Sequence, residues 1–210
     1  MNGTELNYPA KLKIDYPEKL DRFTTFFRII WIIPIFIILA LVSGGSHKEE
    51  AEYGWRTVYN AGGIIFFATL LMIVFRQKYP KWWYDWNLAL TKFGTRVCAY
   101  LLLLRDEYPS TDEEQAVHID IPYPDVKSEL NRFLPLVKWF LAIPHYIVLA
   151  FLVVALIFCV IIAWFVIVFA GEYPRGLFKF VTGVLRWALR VDAYAFLLTT
   201  DKYPPFTLSE

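Results

Sequence analysis

The stretch that decides the fold is residues 139–170, WFLAIPHYIVLAFLVVALIFCVIIAWFVIVFA. Its 32 residues contain only one readily charged side chain, His145. About 20 apolar residues are enough to cross the hydrocarbon core of a bilayer. One straight helix of this length would rise about 48 Å, which exceeds a single untilted span. The stretch therefore predicts membrane insertion, as one long helix or as a tight hairpin of two.

The overall composition agrees with a membrane protein that also has polar segments. Hydrophobic residues make up 57% of the 210 residues, above the roughly 45–50% of soluble domains. Charged residues still reach 20% and lie apart from the apolar runs. The net charge of +1 gives no argument for nucleic-acid binding. Two isolated cysteines form neither a disulfide framework nor a metal site.

Two distant parts of the chain resemble each other. Residues 20–42, LDRFTTFFRIIWIIPIFIILALV, align without a gap with residues 130–152, LNRFLPLVKWFLAIPHYIVLAFL. Arg28 falls on Lys138, which keeps the charge. Self-similarity over such a length predicts a tandem duplication. Because the first copy has two apolar segments separated by a polar loop, the duplication favours a hairpin in the second copy too.

The sequence thus predicts a mainly α integral membrane protein made of two repeats. Each repeat contains a short strand, a transmembrane helical hairpin and a cationic amphipathic interfacial helix. Four membrane segments are expected, with two as the alternative. The first repeat covers 1–110, with its hairpin at about 23–75 and its interfacial helix at about 81–104. The second covers 111–210, with its hairpin at about 133–170 and its interfacial helix at about 175–198.

Basic residues recur at helical spacing in both predicted interfacial helices. Arg175, Lys179, Arg186 and Arg190 share one helical face, and the earlier helix carries Lys92 and Arg96. A cationic face beside a broad apolar face is typical of a helix in the headgroup region. These six residues are therefore candidates for contact with lipid headgroups or a protein partner. A spanning helix packed in a bundle is the alternative.

The distribution of basic residues also predicts the orientation. Lysine and arginine flank the start and end of both predicted hairpins. Such residues concentrate on the cytoplasmic side of a membrane. We therefore expect a multi-pass protein of the cell inner (cytoplasmic) membrane with both termini in the cytoplasm. The polar N-terminus shows no cleavable signal peptide.

The sequence contains few residue patterns that are typical of catalysis, cofactor binding or metal binding. The three histidines show no ligand spacing, and no phosphate-binding loop or paired cysteine motif occurs. We expect no catalytic residue, no cofactor and no metal site. His145 is the one intramembrane polar candidate, although it could simply donate to a carbonyl freed by Pro144. Asp192 and Asp201 are the acidic groups around which a hydrolytic site could be imagined.

Three strings resemble a known family: YPAKLKIDYPEKLDRFTTFFR, LVKWFLAIPHYIVLAFL and EYPRGLFKFVTGVLRWALRVDAYAFLLTTDKYPPFTL. They are similar to the bacterial and archaeal membrane family labelled domain of unknown function 4389, over nearly the whole chain as two copies. The first copy departs from the pattern, because it lacks the Arg-Gly-Leu-Phe start and the Asp before Ala-Tyr. The resemblance implies an integral membrane protein and supplies no activity or substrate.

These features favour a non-enzymatic membrane protein. We expect a scaffold or accessory subunit of a membrane assembly, with anionic-lipid contacts, possible protein partners and no nucleic acid. A small oligomeric channel or transporter is the alternative, and it requires a polar path lined by residues such as His145 or Thr69. A lipid-acting enzyme built around Asp192 is a third reading.

Overall fold

The structure is a computed structural model that describes residues 8–35, 37, 48–51, 54–57 and 61–209. Most of these residues are helical, which confirms the mainly α class. The turn of the hairpin predicted over about 23–75 includes residues 38–47, which lie outside the described residues. In the first half the elements are β1 Lys11–Ile14, α1 Arg22–Trp31, β2 Lys48–Ala51, β3 Gly54–Thr57, α2 Ala61–Arg76 and α3 Lys81–Leu101. In the second half they are β4 Val117–Asp120, α4 Pro135–Leu141, α5 Ile143–Ala170 and α6 Arg175–Ala195.

Residues 143–170 of the long apolar stretch form one helix, so the hairpin predicted over about 133–170 is wrong. The short helix α4 ends at Leu141, and α5 then runs for 28 residues. Pro144 lies in the first turn of α5, where its missing N–H breaks no helical bond. The polar Ser43–Gly44–Gly45–Ser46 turn signal of the first copy has no counterpart in 145–170. Nothing in that segment therefore favours a reversal of the chain.

Gly171 ends α5 and starts the return of the chain. Its φ of +78° is left-handed, which a glycine adopts without steric cost. A Cβ atom at this position would stand 3.3 Å from Nε of Arg22. Pro174 then precedes α6 in the N-cap position. The Tyr-Pro pair at 173–174 thus marks a helix boundary, as the one at 79–80 does for α3.

The helix α6 packs back along α5 and forms the centre of the core. Near its start Phe178 clusters with Ile167 of α5, and near its end Ala195 clusters with Ala142. The two helices are therefore antiparallel. Most of α6 is buried, whereas α5 buries only one narrow side.

Two strands join the halves of the chain. β1 pairs antiparallel with β4, with Leu12 opposite Ile119 and Ile14 opposite Val117. These four side chains are buried while their neighbours in each strand are exposed, as the alternating sequence predicted. β2 pairs antiparallel with β3.

Each half also binds the other through an equivalent tyrosine. The Tyr16 hydroxyl donates to the carbonyl of Tyr173, and the Tyr123 hydroxyl donates to the carbonyl of Tyr79. Each donor directly precedes a proline at the end of a strand segment, and each acceptor precedes the proline before α6 or α3. The same contact thus occurs twice, with the two halves exchanged.

Candidate functional site

The outward side of α5 is an extended apolar surface. It carries large side chains that are about half to three-quarters exposed, such as Phe151 at 73% and Phe158 at 62%. We call it the outer face: Ile147, Phe151, Val154, Ile157, Phe158, Ile161, Ile162, Phe165 and Phe169. Its helix rises about 42 Å. Among the described residues, α5 is the one helix long and apolar enough to cross a membrane.

Neighbouring helices extend the apolar surface. α1 exposes Phe23, Phe26 and Ile30, and α4 exposes Trp139 and Phe140. A contiguous apolar patch of this size marks a contact with membrane or protein. The aromatic rings also suit the boundary between hydrocarbon and headgroups.

The cationic residues predicted on α6 do not share one exposed face. Arg175 and Lys179 are exposed, but Arg186 and Arg190 are buried, at 7% and 2% exposure. Nε of Arg186 donates to the Leu12 carbonyl at 3.0 Å, and Nη2 of Arg190 donates to the Ser209 carbonyl at 2.9 Å. The expected cationic face is therefore corrected: its second half tethers the two ends of the chain. Guanidinium groups suit this role because each presents several donors in a fixed plane.

The two basic candidates on α3 are half-buried. Nη1 of Arg96 donates to the Ser110 carbonyl at 2.7 Å, so this side chain holds the segment that follows α3. Lys92 is partly exposed on the same helix. The structure does not bring these two residues to Arg175 or Lys179 through any contact among the described residues.

His145 lies in an aromatic enclosure at the start of α5. Its ring is fully buried and stacks on Phe206, with the ring centroids 4.0 Å apart. Nδ1 accepts a hydrogen bond from the Trp187 indole at 3.1 Å. The predicted alternative, donation to a carbonyl freed by Pro144, is not seen, since Nε2 has no partner among the described residues. Thr69, the other residue named for a polar path, accepts from the Trp83 indole at 2.9 Å.

Sequence reasoning missed two ion pairs whose cations are buried. Lys138 is fully buried, and its Nζ lies 2.6 Å from Oδ1 of Asp201 and 2.7 Å from the Thr200 carbonyl. Nζ also lies 5.2 Å from the centre of the Tyr194 ring. The sequence contains one signal for such a pair: each copy carries an Asp two residues before its closing Tyr-Pro.

The second pair repeats this arrangement in the first half. Arg28 is 2% exposed and pairs with Asp106 through Nη2. Its Nη1 donates to the Tyr100 carbonyl at 2.8 Å, and its guanidinium carbon lies 4.4 Å from the centre of the Tyr100 ring. In both halves the aspartate also accepts from a backbone N–H before the helix, that of Asp21 or of Asn131.

Asp192 is the one carboxyl group of α6. Burial raises its pKa to about 6. The structure does not join it to Asp201 in one site, because Asp201 is held by Lys138 and Asn131. Within the described part of the chain, no cluster of three or more His, Cys, Asp or Glu side chains could hold a metal ion.

Comparison with known proteins gives one match. Residues 135–207 match the family described as Domain of unknown function (DUF4389). The match covers α4, α5, α6 and the tail after them, and it supports the family for this part of the chain. One copy is matched, and not the two tandem copies that the resemblance predicted. No curated protein and no solved structure matches the chain significantly.

Proposed function

We propose that this chain is a non-enzymatic integral membrane protein, anchored by α5, that serves as a scaffold or accessory subunit of a membrane assembly. The observation that carries the proposal is the outer face of α5. Fully burying a large apolar side chain contributes about 1.5–3 kcal/mol relative to exposure in water. In a membrane the outer face gains this burial free energy along the whole helix, whereas in water it does not.

Anionic-lipid contact is the second part of the proposal. Arg175 and Lys179 are exposed just after the end of α5. A basic side chain near an anionic membrane surface contributes about 1 kcal/mol. Basic residues flanking both halves further support cytoplasmic termini. Additional membrane segments would come from the first half, where Ile65–Arg76 of α2 is apolar but short.

A tandem duplication is the third part. Its support is the aligned sequence together with matched contacts. Arg28 with Asp106 corresponds to Lys138 with Asp201, and each cation lies over the equivalent tyrosine ring. Unrelated sequences would not be expected to place the same residue types in the same contacts twice.

Membrane extraction tests the anchor. The full chain is produced in bacterial cells, and membranes are washed with alkaline carbonate. We expect the protein to stay in the pellet, and a Phe158→Asp/Ile162→Asp variant to be released or degraded, because each charge in a span costs about 2.5–3.5 kcal/mol. A matched control, Thr111→Asp/Lys202→Asp, changes exposed positions outside α5 and should stay in the pellet. Release of the unmodified protein would refute the proposal.

A further inference from the structure

An apolar cavity of about 500 Å³ lies between α1, the end of α3 and the second half of α5. Its volume falls within the roughly 300–1,000 Å³ of ligand pockets. Leu156, Ile157, Val160 and Ile161 supply one wall. Because Ile157 and Ile161 also belong to the outer face, the cavity adjoins the surface that we place in lipid.

Two buried polar atoms of the cavity lining have no hydrogen-bond partner in the described part of the chain. Oγ1 of Thr25 and Nε of Arg28 make no hydrogen bond among the described residues, although the side chains are 1% and 2% exposed. Both residues line the cavity and lie three positions apart on α1, on one side of the helix. Buried donors are normally satisfied, so two unsatisfied donors on one wall point to a missing acceptor.

The cavity is polar at one end and apolar at the other. The Trp164 indole donates to the Thr25 carbonyl at 3.3 Å, which places Thr25 beside the last turns of α5. The lining continues along α5 from Phe165 back to Leu156, a rise of about 14 Å. A ligand that fits would therefore have an oxygen acceptor at the Thr25 end and a hydrocarbon chain towards Leu156.

The charge of the site favours a neutral acceptor. Arg28 already pairs with Asp106, and its Nη1 donates to two backbone carbonyls, those of Tyr100 and Arg105. Nε is the one nitrogen of this guanidinium that has no hydrogen-bond partner among the described residues. An ester carbonyl satisfies that N–H and the Thr25 hydroxyl without adding a second negative charge beside Asp106.

We propose that this cavity binds one acyl chain of a membrane glycerophospholipid, whose ester carbonyl accepts hydrogen bonds from Nε of Arg28 and Oγ1 of Thr25. The site rests on the proposed membrane location of α5, because the chain enters from the bilayer. The proposed site adds one bound lipid, at a defined place, to the proposed membrane location of α5. The lipid would fill the groove beside Trp164 and join α1 to α5.

Native mass spectrometry of the full chain tests this site. The detergent-purified protein is stripped of lipid and titrated with dioleoyl phosphatidylcholine or, in a second arm, with free oleate. We expect one phosphatidylcholine per chain, and weaker binding of oleate. Val160→Phe fills the cavity and should lower lipid occupancy about tenfold. Val153→Phe makes the same change on α5 outside the cavity and should bind as the unmodified protein does.

Two further variants keep the test decisive if Val160→Phe does not fold. Ile157→Trp changes a half-exposed wall residue, and Thr25→Val removes one donor at constant volume; both should weaken phosphatidylcholine binding. Oleate bound in preference, or occupancy unchanged by all three wall variants, would overturn the inference. A protein that resists carbonate extraction yet binds no lipid here refutes this site alone, whereas extraction of the protein refutes the membrane proposal.

Discussion

Lys138 is a fully buried cation balanced by a single carboxylate, Asp201. Removing one partner of such a pair leaves an uncompensated charge in the interior. We predict that Lys138→Met destabilises the protein by about 3–5 kcal/mol. The double variant Lys138→Met/Asp201→Leu should recover much of this loss, because neither charge then remains. Unfolding followed by circular dichroism in detergent measures both changes.

The exposed pair Lys81 and Asp85 provides the control for Lys138. Both side chains are more than half exposed, so Lys81→Met should cost less than about 1 kcal/mol. A loss for Lys138→Met as small as that for Lys81→Met would contradict the buried-pair account.

Asp192 couples stability to pH. Its folded pKa of about 6 lies above the usual value of 3.8, so the folded state binds the proton more tightly than the unfolded chain. The resulting stabilisation is complete below about pH 4 and is lost as pH rises through about 6. We predict that Asp192→Asn stabilises the protein at neutral pH by on the order of 3 kcal/mol, which raises the Tm, and changes little near pH 4. Thermal melts across this range measure it.

Asp120 is the matched control for Asp192. It is exposed at the end of β4, and Asp120→Asn should leave the pH dependence of the Tm as it is in the unmodified protein. An Asp192→Asn variant whose Tm follows pH as the parent does would show that another group controls the effect.

Arg186 and Arg190 show what helical spacing can and cannot predict. The spacing correctly places the two residues one turn apart, on the same side of a helix. It does not say whether that side faces solvent, lipid or protein. Their acceptors include the backbone carbonyls of Leu12, Leu208 and Ser209. Every residue has a backbone carbonyl, so the residue type does not indicate which carbonyls accept these bonds. The tethering role could therefore not be predicted from residue types.

The contact between α6 and the C-terminal tail depends on a glycine. A Cβ atom at Gly183 would stand 2.9 Å from Cβ and 3.0 Å from the carbonyl oxygen of Leu208. We predict that Gly183→Ala displaces the tail and destabilises the protein by about 1–3 kcal/mol. Gly176→Ala, on the same helix with nothing within 4 Å, should be neutral or stabilising by up to about 1 kcal/mol. Equal effects on the free energy of unfolding would contradict this packing.

The two long helices differ in how well the sequence predicts them. The helix α6 occupies most of the stretch 175–198, and its first turn follows Pro174, which gave a clear start signal. The hairpin prediction for α5 rests on the analogy with the first copy, and it fails because the local sequence has no turn signal. The run from His145 to Ala170 contains neither glycine nor proline. With no residue there that favours a turn, continuous helical hydrogen bonding wins.

The exchange of contacts between the halves could not be predicted from the aligned sequences. The alignment matches residues of one copy with residues of the other, but it does not reveal that each copy bonds its counterpart. Tyr16 and Tyr123 each donate across the halves, and β1 pairs with β4. The two halves thus form one shared core, and we expect them to unfold together.

Two tyrosine variants test that shared core. Tyr16→Phe and Tyr123→Phe each remove one hydrogen bond between the halves, so each should cost about 0.5–1.5 kcal/mol. The two sites share no contact partner among the residues that the structure describes, and the costs should add within about 0.5 kcal/mol in the double variant. Tyr108→Phe is the control, because Tyr108 is 49% exposed and its hydroxyl has no bond among the described residues.

Circular dichroism and tryptophan fluorescence should report one coincident transition in every variant, since neither half retains its core alone. Two separate transitions in the double variant would show instead that the halves fold independently.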